Sequence, residues 1–336
     1  MNTNSNDTND IDYNNWLKWI EENIYLNVDI DSIKNNLYKN GFNEKYIQYM
    51  IQLANYNIVD RRSKINNWIL SVKSDLYNNI NKITELNKLP SWDTFLQLFY
   101  SQNKPVIIKN ALNKQSKNIT IKYLYSNYDN FEIEIQSNRD NIKDKELKAN
   151  TLKSKINFKD FLYKVNNENT NNVYMTANNN NNENIKYIKN DILSRIKNNQ
   201  EPWSYLNNDN YDNQSFLWIG PKGTKTPWHY DLTNNLFLQI QGQKKFTLVP
   251  FEQNINMYNH NHVYTDIPSF DYNLKEVYNK FPNFSNVKPI EFIVNEGDVL
   301  FIPIGWWHKV FSLTPTISLS FTNFNARNDY SETYPN

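Results

Sequence analysis

The sequence predicts a mainly β fold, a sandwich or barrel-like jelly roll, preceded by a helical N-terminal segment. The β part rests on the chain beyond Ser215, where short apolar runs (FLWIG, NLFLQIQG, KKFTLVP, DVLFIPI, TISLSF) alternate with turn chemistry such as PKGT and NEGD. Many short strands at this spacing close on themselves to bury one face. The helical part rests on Trp16, Leu17, Trp19, Ile20, Ile24 and Leu26, which recur at the spacing of one helix face. With 336 residues the chain exceeds what one core comfortably serves, so a large domain with a smaller companion is expected.

Residues 1–12 are polar throughout and are expected to form a disordered tail. Residues 13–88 form the helical segment. A second helix starts near Asp31, Gly41 stops it, helices continue to about Leu89, and the Trp/Tyr stripe is read as packing. Residues 89–336 form the main domain, with the boundary near Lys88. Ser91 caps a short helix, and Pro105 opens the β-branched run Val106 to Ile108. Between Lys114 and Gln214, asparagine runs (NNENTNN, NNNNNEN) interrupt a helix, FKDFLYKV, and a strand, NVYMTA. Those runs read as tolerated loop filler.

Composition removes several function classes. Lys plus Arg (36) nearly cancel Asp plus Glu (35), so no global field draws the chain to nucleic acid or an anionic membrane. The lysines of NIKDKELKANTLKSKINFK are the one candidate contact for RNA, and they read as a solvated loop. The absence of cysteine eliminates disulfides, thiolate zinc sites and thiol nucleophiles, and suits a reducing compartment. No run is long enough for a membrane span and MNTNSNDTND has no leader pattern, so an intracellular protein, cytoplasmic or nuclear, is expected.

The chemistry concentrates in two places. In TPWHYD, His229 and Asp231 are two residues apart, and residues i and i+2 of a strand share a face. Far downstream, GDVLFIPIGWWHKV delivers His308 on a separate strand after a Pro303–Gly305 break. Two histidines and one carboxylate occupy one face of an octahedral metal and leave open positions, which suits non-haem Fe(II). Zinc is the chemical alternative, and a co-substrate site beside the metal decides between them.

From about Pro90 to Arg327 the chain resembles the JmjC-type, cupin-like 2-oxoglutarate oxygenases. TPWHYDLTNNLFLQIQGQKKFTLVP, with FPNF and GDVLFIPIGWWHKV downstream, is especially similar to the asparaginyl hydroxylases among them. The resemblance implies a double-stranded β-helix, Fe(II), 2-oxoglutarate as co-substrate and O2, with His229, Asp231 and His308 as the metal ligands. It assigns Lys244 to the distal carboxylate of 2-oxoglutarate, where burial strengthens the pairing. Lys245 alternates to the solvated face. Thr226 and Tyr174 become hydroxyl donors to the same carboxylate, and Asn235 and Phe237 line the co-substrate pocket. Ser320 stands near the metal where some members have asparagine, and His260 and His262 fall in a loop that carries no ligand.

The implied activity is protein hydroxylation, with N-methyl-lysine demethylation second and tRNA modification third. A metal-binding cupin that acts only as a binding module is the competing class. The implied partner is a protein substrate. Nucleic acid and membrane are unsupported, and oligomeric state is left open.

Overall fold

The structure is a computed structural model and describes residues 13–77, 82–112, 118–128, 130–141, 149–197, 203–207 and 214–335. The expected tail, 1–12, lies outside them. The chain divides into two compact units, Met1–Lys73 and Ser74–Asn336. Among the described residues no helix is long and apolar enough to cross a membrane.

The first unit consists of α1 (Tyr13–Tyr25), α2 (Ile30–Lys39) and all but the last turn of α3 (Glu44–Tyr77). Its core gathers Ile20, Ile33, Leu37, Phe42, Ile47, Met50 and Ala54, with Trp16 and Trp19 packed against it. The N-cap of α2 is Asp29, whose carboxylate accepts from Ser32 N at 3.0 Å, so the helix is capped two residues before Asp31. Gly41 has φ of 88°, open to glycine at little cost, and follows the last turn.

The helical run expected to reach Leu89 is interrupted. Helix α3 ends at Tyr77, and Thr84–Leu86 is a strand, β1, paired in parallel with β2 (Val106–Ile108). The neighbouring Ile83 is buried among jelly-roll residues, a tertiary contact that outweighs local helix preference.

The second unit is a jelly roll of two six-stranded sheets. One sheet runs β1-β2-β13-β8-β15-β6, with β6 Ser215–Gly220, β8 Asn235–Gln241, β13 Val299–Ile302 and β15 Thr316–Phe321. The other runs β10-β11-β7-β14-β9-β12, with β7 Lys225–His229, β9 Lys244–Val249, β10 Asn259–Asn261, β11 Tyr264–Thr265, β12 Ile290–Val294 and β14 Trp307–Ser312. Except for the β1–β2 pair, the ladders of both sheets are antiparallel. Strand alternation sorts the side chains. Leu236, Leu238, Leu217, Ile219, Leu319 and Phe321 face an outer core built with the helices α4 (Trp92–Phe95), α5 (Ile121–Asn127), α6 (Phe158–Asn167) and α7 (Glu183–Ile196). Their neighbours face the barrel interior, where Phe237, Phe246, Leu248, Leu300 and Ile302 form a separate apolar cluster. A third cluster lies behind β7 and β14, around Trp228, Tyr230, Trp307 and α8 (Leu274–Lys280).

A small sheet, β4-β3-β5, joins β3 (Glu132–Ser137), β4 (Lys153–Asn157) and β5 (Val173–Tyr174). Part of the lysine run expected to be a loop is therefore strand. Lys153 and Lys155 pair with Glu134 at 3.1 Å and Glu132 at 2.9 Å across β3. The asparagine runs are also more than filler. Asn182 caps α7, and buried Asn180 accepts from Leu217 N at 2.8 Å while donating to Leu217 O at 3.1 Å. One side-chain amide thus does for β6 what a neighbouring strand would do.

Candidate active site

His229 closes β7 and His308 lies directly opposite on β14. Asp231 is two residues past the end of β7, in a connecting stretch rather than on the strand as expected. The three side chains nevertheless converge. Asp231 Oδ1 is 3.9 Å from His229 Nε2, its Oδ2 is 3.7 Å from His308 Nε2, and the two rings are 4.1 Å apart. Among the described residues this is the one cluster of at least three His, Cys, Asp or Glu side chains close enough to hold an ion.

Both imidazoles are oriented by the main chain. His229 Nδ1 is 2.8 Å from Pro227 O, and His308 Nδ1 is 3.0 Å from Trp306 O. A carbonyl only accepts, so Nδ1 of each ring carries the proton and Nε2 keeps its lone pair toward the shared point. Burial, reinforced by His229, pushes the His308 pKa down to about 4, so the ring is neutral at physiological pH. Two neutral nitrogen donors and one carboxylate, pre-aimed by hydrogen bonds, fit a divalent metal. Asn235 donates to Asp231 Oδ2 at 2.5 Å and fixes how that carboxylate turns.

Thr226 lies three residues before His229, a spacing that strict alternation would send to opposite faces. A β-bulge resolves this. Val310 pairs with Thr226 and His308 with His229, so Pro227 and Trp228 together oppose the single residue Lys309. The extra residue turns Thr226 inward as well, and Pro227, which has no N–H to give the ladder, suits the bulge.

A cavity of about 330 Å³ joins these groups to the other sequence-derived residues. Tyr174, Thr226, Asn235, Phe237, Lys244 and Ser320 all line it together with the three converging side chains. Lys244 is 2% exposed, its Nζ 3.3 Å from Tyr174 Oη and 5.2 Å from the centre of the Phe237 ring. Burial pushes its pKa down to about 7. No described carboxylate pairs with it, so a buried amine faces the cavity without a counter-ion, an arrangement that suits an acidic ligand. Lys245, on the opposite face, pairs with Glu291 at 2.8 Å.

Ser320 Oγ accepts from Trp218 Nε1 at 2.9 Å, so its hydroxyl is already engaged beside the cavity. His262 is exposed on the loop after β10, and His260 has no described side chain. The sequence reading missed Phe216, Trp218, Thr233 and Thr322 in the lining. Alternation held the signal for three of them, since Phe216 and Trp218 share a face of FLWIG and Thr322 continues the face of Ser320. Thr233 belongs to no strand, and nothing local marks it.

The cupin-like domain family matches residues 92–330. JmjC domain-containing protein D of Dictyostelium discoideum is 35% identical over 148 residues, 41% of this chain and 32% of that protein. Lysine-specific demethylase 8 of Xenopus tropicalis is 38% identical over 113 residues, 31% of this chain and 24% of that protein. The 2-oxoglutarate and iron-dependent oxygenase JMJD4 of Mus musculus is 33% identical over 131 residues, 38% of this chain and 30% of that protein. The chain thus spans about a quarter to a third of the length of these relatives. With most of its length matched and a jelly roll enclosing the residues its motifs pointed to, the chain belongs to the cupin-like domain family.

Proposed function

We propose that the chain is an Fe(II)- and 2-oxoglutarate-dependent oxygenase that hydroxylates a protein side chain. The observation that carries this reading is the pairing, in one cavity, of the His229–Asp231–His308 cluster with the buried Lys244 ammonium. A binding module that merely held a metal would have no use for such a cation, and a structural zinc site would have no use for open positions beside it.

Fe(II), O2 and 2-oxoglutarate together supply the oxidation that converts a substrate C–H to C–OH, the 2-oxo acid leaving as succinate and CO2. The protein's part is to hold and to orient. His229, Asp231 and His308 would take one face of the metal and leave the other face to the co-substrate. Lys244 would neutralise the distal carboxylate of 2-oxoglutarate, with Tyr174 and Thr226 donating to its oxygens and Phe237 forming an apolar wall. Asn235, expected to line the co-substrate pocket, also restrains Asp231.

N-methyl demethylation is the second reading, favoured by the similarity to a lysine-specific demethylase. It needs the same residues, because hydroxylation of an N-methyl carbon leaves a product that loses formaldehyde. The asparaginyl-hydroxylase resemblance rests on the two motifs and favours hydroxylation as the end point. For a role on tRNA, Lys153 and Lys155 are already paired with glutamates, and Lys143, Lys145 and Lys148 lie outside the described residues.

The deciding experiment is Asp231→Ala, which removes the only anionic member of the cluster. Wild type should bind stoichiometric Fe(II) and decarboxylate 2-oxoglutarate, and the variant should lose both. An unchanged iron content in the purified variant would overturn the ligand assignment.

A further inference from the structure

Strand β7 ends at His229 and one further main-chain bond, Tyr230 N to Val263 O at 3.2 Å, follows it, yet Asp231 lies beyond both, and His308 follows the turn at Ile304 and Gly305. Something other than the sheet has to fix these two stretches relative to one another. The segment 322–335 meets them at two points.

The first contact is a clasp between asparagines. Asn328 Oδ1 accepts from Asn234 N at 2.7 Å and from Asn234 Nδ2 at 2.8 Å, while Asn328 Nδ2 donates to Asn234 O at 2.9 Å and Thr322 O at 2.7 Å. Asn234 is 3% exposed, and its own Oδ1 accepts from Ile304 N at 2.9 Å. One buried side chain therefore ties the stretch carrying Asp231 to the turn leading into His308, and Asn328 holds that side chain on its remaining edge. Gly305 N adds a direct bond to Asp231 O at 3.1 Å.

The second contact is a pair of phenols. Tyr230, between His229 and Asp231, points away from the cavity, and its hydroxyl is 2.5 Å from that of Tyr334. Tyr334 also donates to His262 O at 2.7 Å. The Tyr230 ring packs edge-on against Trp307, the neighbour of His308, with centroids 4.7 Å apart.

We propose that Asn328 and Tyr334 are positioning residues that set the geometry of the His229–Asp231–His308 cluster, acting through Asn234 and Tyr230. The proposal rests on the metal-centre reading. Groups that orient metal ligands tune affinity and ligand field, whereas groups that only stabilise the fold leave both alone.

The test loads wild type, Asn328→Ala and Tyr334→Phe with Co(II), whose visible absorption reports ligand geometry directly, and follows Co(II) affinity and thermal unfolding in parallel. Asn328→Ala should bind Co(II) about tenfold to a hundredfold more weakly, with a displaced band, and Tyr334→Phe should shift in the same direction by less. Wild-type spectra and affinities in both variants overturn the proposal, and so does a lowered melting temperature with an unmoved spectrum. If Asn328→Ala does not fold, Tyr334→Phe, which removes one oxygen and keeps the ring, decides alone. Failure of wild type to bind Co(II) would instead overturn the metal-centre reading, which separates the two.

Discussion

Lys244 Nζ and Tyr174 Oη are 3.3 Å apart inside the jelly roll, and no described carboxylate is paired with that amine. We propose that this lysine is held for a ligand. In Lys244→Met the packing volume is roughly kept and the distal carboxylate of 2-oxoglutarate loses its counter-ion. Breaking one side of a buried pair costs about 3–5 kcal/mol, so affinity should fall by roughly two to nearly four orders of magnitude. Fe(II) binding should persist, because Lys244 is not in the cluster. Anaerobic titration of the Fe(II) protein with 2-oxoglutarate, read by absorption, checks this, and equal affinities would remove Lys244 from the role.

The same lysine predicts a pH dependence. Burial lowers its pKa from 10.5 to about 7 in the ligand-free fold. Between those values the unfolded chain holds a proton that the folded chain has released, so this group's contribution to folding stability rises with pH from about 7 to 10.5. A bound dicarboxylate favours the ammonium and reverses the preference. Binding should therefore take up a proton above pH 7, and affinity should fall as pH rises through that window. Calorimetry in buffers of different ionisation enthalpy measures the uptake, and it should vanish in Lys244→Met.

Legibility in the sequence tracks the range of the interaction. His229, Asp231, His308 and Lys244 stand out because their spacing and strand context are local, and the cavity gathers all four. The inward turn of Thr226 depends on a bulge, for which Pro227 is the only local sign. Asn180 reads as filler because its amide acquires meaning only once β6 lies beside it, and Asn328 engages Asn234 across 94 positions. Strand β1 merges into the helical segment for the same reason, since three residues pair only when β2 is already in place.

Where the jelly-roll unit begins can be tested by truncation. A chain starting at Ser74 keeps β1 and the buried Ile83, and one starting at Leu89 loses both. The Leu89 start forfeits about 1.5–3 kcal/mol from the burial of Ile83 alone, and the loss of β1 leaves the edge of β2 unpaired. The Leu89 start should melt lower and scatter light on standing, and the Ser74 start should stay monodisperse. Equal melting temperatures would make β1 dispensable and move the unit's start downstream.

Gly220 predicts an effect on co-substrate binding from a residue with no functional group. A Cβ built there would lie 2.7 Å from Tyr174 Cδ2 and 2.9 Å from Thr224 Cγ2, closer than carbon atoms tolerate. Thr224 is 2% exposed, with its hydroxyl bonded to Ser312, so it cannot retreat freely and the Tyr174 ring has to move. That motion separates the phenol from Lys244 and withdraws one donor from the distal carboxylate. Gly220→Ala should weaken 2-oxoglutarate binding by roughly tenfold, the scale of one hydrogen bond to a charged group. Fe(II) affinity should be unchanged, because the atoms nearest the new methyl belong to Tyr174 and Thr224 and not to the converging side chains. Combining Gly220→Ala with Tyr174→Phe discriminates the mechanism: if the methyl acts by displacing the phenol, the double variant binds 2-oxoglutarate no worse than Tyr174→Phe alone. Additive losses would show that the glycine acts on the site by another route.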